Sequence, residues 1–298
     1  MQHLYRELEP APALRPYVEC YWRATSVAAP GFRPREPLVP DLRIELIFNA
    51  GAAWHWFEAP VEPSQRAAVL SCIGMRGSSL AIQQPGRLDH FAIRFRPAGL
   101  ASFVQVPLGE LTQRCWDMRE LWMAGAQELE QRLAEAGDDA ARVAAADAFL
   151  LRRLARDGRD AELARHAARL LSASHGGLSI ERLAAGHGVS YKRLERVFAR
   201  DVGLSPKHFA RVARVQRALE LSTLRPGMAL AELAAHSGYA DQAHFGREFS
   251  RLIGISPRAF FAADFAVFET MAKSGSIGLR PEDAVLSKTF KTPERGAN

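Results

Sequence analysis

A chain of 298 residues, of which 48% are hydrophobic and 24% charged, has enough apolar material for a sizeable core. This composition excludes a wholly disordered protein, and the length indicates two domains rather than one. The formal net charge of +6 favours an acidic partner such as nucleic acid.

Cysteine usage and the N-terminal residues indicate the compartment. Cys20, Cys72 and Cys115 are far apart and odd in number, which argues against a disulfide framework or a CxxC metal site. The first residues lack a basic segment followed by an apolar core, and no later stretch has the roughly eighteen uncharged apolar residues of a membrane span. We therefore expect a cytoplasmic, nucleoid-associated protein with no membrane partner.

The first third of the chain has the period of two that is typical of strands. Apolar residues alternate with others from Leu42 to Leu46 and from Phe91 to Phe95. Clusters of proline and glycine separate these runs, as in an antiparallel sheet or barrel. We expect short strands between Tyr17 and about Phe95, in a sheet with one buried face.

After Pro107 the period changes to that of amphipathic helices. Leu129 and Leu133 are four residues apart, and apolar residues from Val143 to Leu154 follow each other at steps of three and four. These apolar faces could form a dimer interface or pack on the sheet. We favour the dimer, because a two-fold protein can use paired half-sites on DNA.

The C-terminal third contains the same unit twice. LAAGHGVSYKRLERVFARDVGLSP, from Leu183 to Pro206, aligns with LAAHSGYADQAHFGREFSRLIGISP, from Leu233 to Pro257, with one inserted residue in the turn. Each copy has a short apolar helix, a turn with glycine, a second helix and a Gly-x-Ser-Pro ending. A repeat that agrees in all these features is much more specific than a single charged helix.

The residues between the two helices of each copy predict a helix-turn-helix unit. Gly188 and Gly238 allow the positive φ that ends a helix. Ser190 and Asp241 then stand where an N-cap side chain accepts a backbone N–H. The next helix is therefore expected to begin directly after Ser190 in the first copy and after Asp241 in the second.

The second helix of each copy has one apolar and one polar face. The apolar residues are Leu194, Val197 and Phe198 in the first copy and Phe245, Phe249 and Leu252 in the second. Arginine pairs with guanine, glutamine pairs with adenine, and lysine or histidine contacts phosphates or base acceptors, so the polar faces suit a major groove. The candidate DNA contacts are Ser190, Tyr191, Lys192, Arg193, Arg196 and Arg200 in the first copy, Gln242, His244, Arg247 and Arg251 in the second, and Lys207 and Arg258 for phosphates.

A long helix is predicted between the two units. Ser205 and Pro206 are suited to the N-cap and the first turn of a helix that continues to about Leu224. A rigid connection would place the two recognition helices in adjacent major grooves, about 34 Å apart. The fifteen basic and ten acidic residues from Asp160 to Asp264 account for five of the six net positive charges.

The segment GYADQAHFGREFSRLIGISPRAF, Gly238 to Phe260, resembles the signature of the AraC/XylS family of bacterial regulators, and GVSYKRLERVFARDVGLSP fits the first unit of that family. The resemblance extends over roughly Ala161 to Phe261 and implies a seven-helix domain with two helix-turn-helix units. It also implies base contacts by Lys192, Arg196, Gln242 and Arg247, and a DNA contact by His244. Ala243 and Glu195 depart from this pattern, since neither adds a donor to the surface that faces DNA.

The N-terminal segments PALRPYVECYW and RFRPAGLASFV more loosely resemble a domain found in a subset of these regulators, which implies a β-rich sensory or dimerisation domain. Trp54, Trp56 and Phe57 could line an aromatic effector pocket, or they could be core residues of the sheet. The chain has no pattern for a catalytic nucleophile, a metal or a cofactor, so we predict none of these.

We therefore predict an α+β protein. Residues 1–115 would form a β-rich, barrel-like sensory or dimerisation domain, 116–159 a helical segment, 160–265 an all-α tandem helix-turn-helix domain, and 266–298 a mobile tail. The predicted function is a homodimeric, sequence-specific regulator that binds promoter DNA, with RNA polymerase as a partner if it activates. The N-terminal domain would respond to a small molecule or, alternatively, serve as a protein-interaction module.

Overall fold

An N-terminal region with two antiparallel sheets is followed by a helical C-terminal region, which confirms the predicted α+β class. The computed structural model describes residues 3–26, 36–52, 55–57, 70–73, 80–83, 87–112, 115–154 and 159–263. Trp54 and the predicted tail, 266–298, lie outside the described residues. None of the described helices is both long enough and apolar enough to cross a bilayer.

Nine strands form the two sheets within the described residues. They are β1 (His3–Leu8), β2 (Val18–Ser26), β3 (Glu36–Leu38), β4 (Ile44–Asn49), β5 (His55–Phe57), β6 (Leu70–Ile73), β7 (Leu80–Gln83), β8 (Leu88–Phe95) and β9 (Cys115–Asp117). The larger sheet has the order β1-β2-β8-β4-β6-β9 and the smaller one β3-β7-β5. Trp56 and Phe57 belong to β5, where their backbones pair with Ile82 and Ala81 of β7. The proposed aromatic pocket stays a prediction.

The expected interval of strands, Tyr17 to Phe95, was too short. Strand β1 precedes it and pairs with β2, while β9 follows it and pairs with β6. Strand β9 has only three residues and comes after a helical turn, so it carries no detectable period of its own. Such a strand depends on a partner that is distant in sequence.

For the central strands β4 and β8, the expectation that one face of the sheet is exposed was wrong. Arg43 and Arg94, which alternate with the apolar residues, have only 8% and 3% of their surface exposed. Arg94 Nε donates to Glu45 Oε1 at 2.7 Å, and Arg43 Nε donates to Glu19 Oε2 at 2.7 Å. Burial of these guanidinium groups is tolerated because each lies against a carboxylate.

Eleven α-helices occur in the described residues. They are α1 (Leu108–Leu111), α2 (Met118–Trp122), α3 (Ala124–Glu135), α4 (Asp139–Arg153), α5 (Arg159–Ala173), α6 (Ile180–Gly186), α7 (Tyr191–Asp201), α8 (Pro206–Leu224), α9 (Leu230–His236), α10 (Gln242–Ile253) and α11 (Pro257–Ala262). Seven of them, α5 to α11, form the C-terminal region, as the family resemblance implied.

The predicted amphipathic helices after the sheet form a hairpin of α3 and α4. Leu129, Leu133 and Leu150 are buried within the core of this single chain. The hairpin is tied to the larger sheet by Asp147, whose Oδ1 accepts a hydrogen bond of 2.5 Å from the hydroxyl of Tyr21. These apolar faces are therefore used inside the protomer, and a dimer that uses other surfaces stays a prediction.

The N-terminal region is in direct backbone contact with the helical region. A Cβ atom added at Gly203 would lie only 2.9 Å from the carbonyl oxygen of Leu108, and one added at Gly109 would lie 3.1 Å from that of Ala199. Helix α1 thus packs closely on the C-terminal end of α7. A continuous hydrophobic core extends through both regions.

Candidate DNA-binding surface

The first helix-turn-helix unit comprises α6, α7 and the four residues between them. Gly188 has a φ of +65°, which lets the chain reverse after α6. The N–H of Val189 donates to the carbonyl of Ala184 at 3.1 Å. The hydroxyl of Ser190 accepts the backbone N–H of Arg193 at 3.2 Å, and this N-cap starts α7 at the predicted place.

The second unit, α9 and α10, repeats the geometry of the first. Gly238 has a φ of +77°, and the N–H of Tyr239 donates to the carbonyl of Ala234 at 3.0 Å. The carboxylate of Asp241 accepts the N–H of His244 at 2.6 Å. Corresponding backbone groups therefore bond in the same way in both turns, which confirms the helix-turn-helix repeat predicted from the sequence.

The apolar faces of α7 and α10 are buried as predicted. The buried side chains are Leu194, Val197, Phe198, Phe245, Phe249 and Leu252. The ring of Phe198 meets that of Phe209 on α8 edge to face, with centroids 5.3 Å apart. Because this packing fixes the rotation of each helix about its axis, the opposite faces point away from the core.

The predicted DNA-contacting side chains lie on these outward faces. All but one are exposed: Ser190, Tyr191, Lys192, Arg193, Arg196, Arg200, Gln242, Arg247, Arg251, and the phosphate candidates Lys207 and Arg258. His244 is half-buried. Ala243 and Glu195, which depart from the family pattern, are exposed on the same helices. Two basic or polar surfaces, one on each recognition helix, are therefore available to a ligand.

Two arginines of the first recognition helix are already paired with carboxylates. Arg193 Nη2 lies 3.0 Å from Asp160 Oδ1 on α5. Arg200 donates to both oxygens of Asp201, at 2.7 and 2.8 Å, and these hydrogen bonds raise the pKa of its guanidinium. Lys192 and Arg196 form no ion pair with the described residues, so they are the more available cations of α7.

The second recognition helix contains a buried carboxylate that was not among the predicted site residues. Glu248 Oε1 lies 3.2 Å from Arg214 Nη2 and 3.6 Å from Arg211 Nε, both on α8, and its Oε2 lies 3.6 Å from His244 Nε2. The side chain of Glu248 is only 9% exposed. One signal was present in the sequence: in the alignment of the two copies, Glu248 occupies the place of the apolar Val197.

Two histidines lie beside the first turn. The rings of His166 on α5 and His187 meet edge to face with centroids 4.8 Å apart. Burial lowers the pKa of both imidazoles, and for His166 the neighbouring His187 lowers it further. Both rings are therefore neutral at neutral pH, and they add no positive charge next to the first recognition helix.

Helix α8 connects the two units with the bounds predicted from the sequence. It has 19 residues, and the hydroxyl of its N-cap, Ser205, accepts the N–H of His208 at 3.2 Å. At about 1.5 Å per residue the helix is roughly 28 Å long. It packs against α5, α7, α9 and α10, so both units are anchored on one continuous helix.

Comparisons with known proteins agree with this geometry. Residues 183–263 match the family model of a helix-turn-helix domain, and residues 6–117 match a domain of unknown function (DUF6597). The chain is 34% identical over 89 residues to the invasion protein InvF of Salmonella typhi, and 34% identical over 79 residues to the HTH-type transcriptional regulator MtrA of Neisseria gonorrhoeae. These segments are 30% and 26% of this chain, and they span only 41% of InvF and 26% of MtrA.

A solved structure was also similar over most of the chain. The crystal structure of ToxT from Vibrio cholerae aligns with 88% of this chain and 96% of its own, at 8% sequence identity and a TM-score of 0.44. A likeness of this size says nothing about ligands or partners.

Proposed function

We propose that this chain, whose C-terminal domain is a helix-turn-helix domain of the AraC type, is a transcription regulator that binds double-stranded DNA with both of its units. The observation that carries the proposal is the repeated unit itself. Two recognition helices with buried apolar faces and exposed basic faces are anchored on one rigid helix, α8. That arrangement suits two successive major grooves on one side of a duplex.

The side chains divide into two roles. Lys192 and Arg196 of α7, with Gln242 and Arg247 of α10, would contact base edges, where each good bidentate pair discriminates by about 1 to 3 kcal/mol. Lys207 is at the start of α8 and Arg258 in α11, outside both recognition helices. These two cations would contact phosphates, which contribute affinity for any sequence and make that affinity dependent on salt.

A paired substitution tests these roles. Arg247→Ala is expected to relax the preference at one base position, because the bidentate contact to that base is lost. Lys207→Ala is expected to weaken binding to all sequences evenly and to reduce the salt dependence by about one counterion, because a phosphate contact carries no sequence information. The measurement is selection of bound DNA from a randomised duplex library, followed by titration at several salt concentrations.

The same experiment can refute the proposal. Binding that is unchanged in both variants across the library would contradict the assigned roles, and absence of any duplex binding at low ionic strength would contradict the function. Arg132→Ala, on the exposed surface of α3, removes the same charge far from the recognition helices and serves as the control.

We also infer a regulatory role for the N-terminal region, in a homodimer that responds to a small-molecule or protein effector, with RNA polymerase as a partner if the protein activates. The close contact of α1 with the end of α7 supports this role, because it joins the N-terminal region to the first recognition helix. Sedimentation equilibrium of the full chain, with and without operator DNA, tests the dimer. A protein that stays monomeric on DNA would contradict it.

A further inference from the structure

A cleft of about 790 Å³ lies between the N-terminal sheet region and the helical region. One wall includes residues from the segments 12–19, 42–43 and 96–97, and the other consists of side chains from α5 and α8, together with His175. This volume is within the range of sites that hold small molecules. The cleft is separate from the outward faces of α7 and α10 that the proposed function uses.

The cleft carries an excess of positive charge. Its charged lining comprises Arg15, Arg43, Arg96, Arg165, Arg169 and Arg217 against Glu19, Glu162 and Glu220. Two of these arginines are neutralised inside the cleft, since Arg43 pairs with Glu19 and Arg217 pairs with Glu220 at 2.7 Å each. Arg15 also pairs with Glu9, which lies outside the lining, at 2.7 Å, so an excess of two positive charges remains and favours an anionic occupant.

One face of α5 concentrates the polar groups of this wall. Arg165, Arg169 and Ser172 follow each other at steps of four and three, so they lie on the same side of the helix. Arg165 stacks over the ring of Tyr17 at 5.0 Å and donates to Ser102 Oγ at 3.4 Å, which fixes this face of α5 against the N-terminal region. The exposed Arg169 forms no ion pair with any described residue.

Ser172 supplies an independent indication of a ligand. Its side chain is 4% exposed, and its hydroxyl has no hydrogen-bond partner within the described residues although it lines the cleft. A buried hydroxyl without a partner is costly and uncommon in folded proteins. An acceptor atom placed in the cleft would satisfy it.

The remaining lining is apolar. Pro12, Leu42, Pro97 and Ala213 contribute to the walls, so a ligand can bury a hydrocarbon part there. Gln216 of α8 also lines the cleft, and its amide donates to the carbonyl of Pro40 in the N-terminal region. Both regions of the chain thus contribute charged groups, apolar surface and structural contacts to the same site.

We propose that this cleft binds a small organic anion, a carboxylate or a phosphate ester, whose charged group contacts Arg169 and Ser172 and whose apolar part lies against the proline and leucine side chains. Charge-assisted hydrogen bonds from arginine are the strong ones for both kinds of anion. The proposal goes beyond the DNA-binding function and does not depend on it.

Calorimetric titration of the full chain in a low-salt buffer without phosphate tests the proposal. The probes are benzoate and phenyl phosphate, with benzyl alcohol as an uncharged molecule of similar size. We expect at least one anion to bind at one site per chain, and benzyl alcohol to bind at least about 10-fold more weakly, since the charged group supplies the main contacts. Binding of benzoate alone identifies a carboxylate site, and binding of phenyl phosphate alone a phosphate site.

Substitutions locate the site. Arg169→Gln is expected to weaken anion binding by about 10-fold, whereas Arg225→Gln, which removes an exposed arginine of the same domain outside the cleft, should change it less than about 2-fold. Ser172→Ala should weaken binding by roughly 3-fold to 10-fold without lowering the thermal stability of the free protein, because the hydroxyl it removes has no partner there.

Two results would overturn the proposal: no heat of binding from either anion at millimolar concentration, or equal losses in Arg169→Gln and Arg225→Gln. Duplex binding measured on the same preparations keeps the two proposals apart. A protein that binds DNA but neither anion refutes the cleft alone, and one that binds an anion but no duplex refutes the DNA-binding function alone.

Discussion

The two helix-turn-helix units share one backbone design but are stabilised in different ways. The first unit ends against the N-terminal region, where the backbone of α1 lies next to Gly203. The second unit is held by the buried carboxylate of Glu248, which bridges α10 to Arg211 and Arg214 of α8. At the aligned position the first unit has Val197, which is also buried. Hence a repeated sequence preserves the turn, while the contacts around each copy have diverged.

Because of this difference, the two units should be destabilised by different kinds of substitution. The backbone packing between α1 and the end of α7 leaves too little room for a Cβ atom at Gly203 without a shift of its neighbours. A network of charges instead depends on the presence of every member. The first unit should therefore respond to changes in side-chain volume at its end, and the second to changes in charge at its centre.

The largest effect is expected at the end of the first recognition helix. Gly203 has a φ of +93°, and a Cβ there would lie 2.6 Å from Thr112 Cγ2 as well as 2.9 Å from the carbonyl of Leu108. Gly203→Ala should lower the free energy of unfolding by about 3 kcal/mol, because strain and overpacking add. Gly188→Ala, also at positive φ but with no described atom within 4 Å of the added Cβ, should cost only about 1 kcal/mol.

Urea denaturation measures the free energy of unfolding of both Gly variants. Equal losses would show that only the left-handed backbone conformation matters, and that α1 does not restrain the first unit.

A smaller effect is expected from the charge network of the second unit. Glu248→Gln removes the carboxylate that faces two arginines, each with 21% of its side chain exposed, and should lower the free energy of unfolding by about 2 kcal/mol. The partial exposure of the arginines keeps this loss below that of a fully buried pair. Glu195→Gln, an exposed residue of α7, should change stability by less than about 0.5 kcal/mol.

Thermal unfolding of the two Glu variants, with the DNA affinity of each, separates stability from recognition. If Glu248→Gln unfolds like the wild-type protein, the network does not hold α10 in place.

The smallest effect is expected from the ion pair of Arg193 with Asp160. Both side chains are partly exposed, so Asp160→Asn should change the free energy of unfolding by less than about 0.5 kcal/mol. It should nevertheless increase DNA affinity by about 2-fold to 3-fold at low salt, because Arg193 is released toward the phosphates. Filter binding at two salt concentrations measures this gain.

Asp139→Asn on α4 removes the same charge away from the recognition helices. An equal gain in that variant would attribute the effect to net charge rather than to the release of Arg193.

The parts of the fold that depend on neighbours in sequence were predictable. The N-caps Ser190, Asp241 and Ser205 and the bounds of α8 follow from residue types that act within one helical turn. The buried faces of α7 and α10 follow from the period of their apolar residues. Because the unit occurs twice, the agreement between the two copies also supported the prediction for each of them.

The parts that depend on distant residues were not predictable. Arg94 was expected on an exposed face, yet it is buried because Glu45, on a neighbouring strand, supplies the compensating carboxylate. Arg193 was a candidate DNA contact, and its partner Asp160 is 33 residues away. The period of the apolar residues shows which side of a helix or strand is apolar. It does not show which side chains of another element will lie against the opposite side.

The contact between Gly203 and Leu108 limits how this protein can be recombined with others. A chimera that joins residues 159–263 to a foreign N-terminal half keeps both recognition helices, but it replaces the backbone surface against which the end of α7 is fitted. A graft that retains residues 108–112 preserves that surface. The short helix α1 therefore limits the exchange of modules, because it lies in the N-terminal half, which such a chimera replaces.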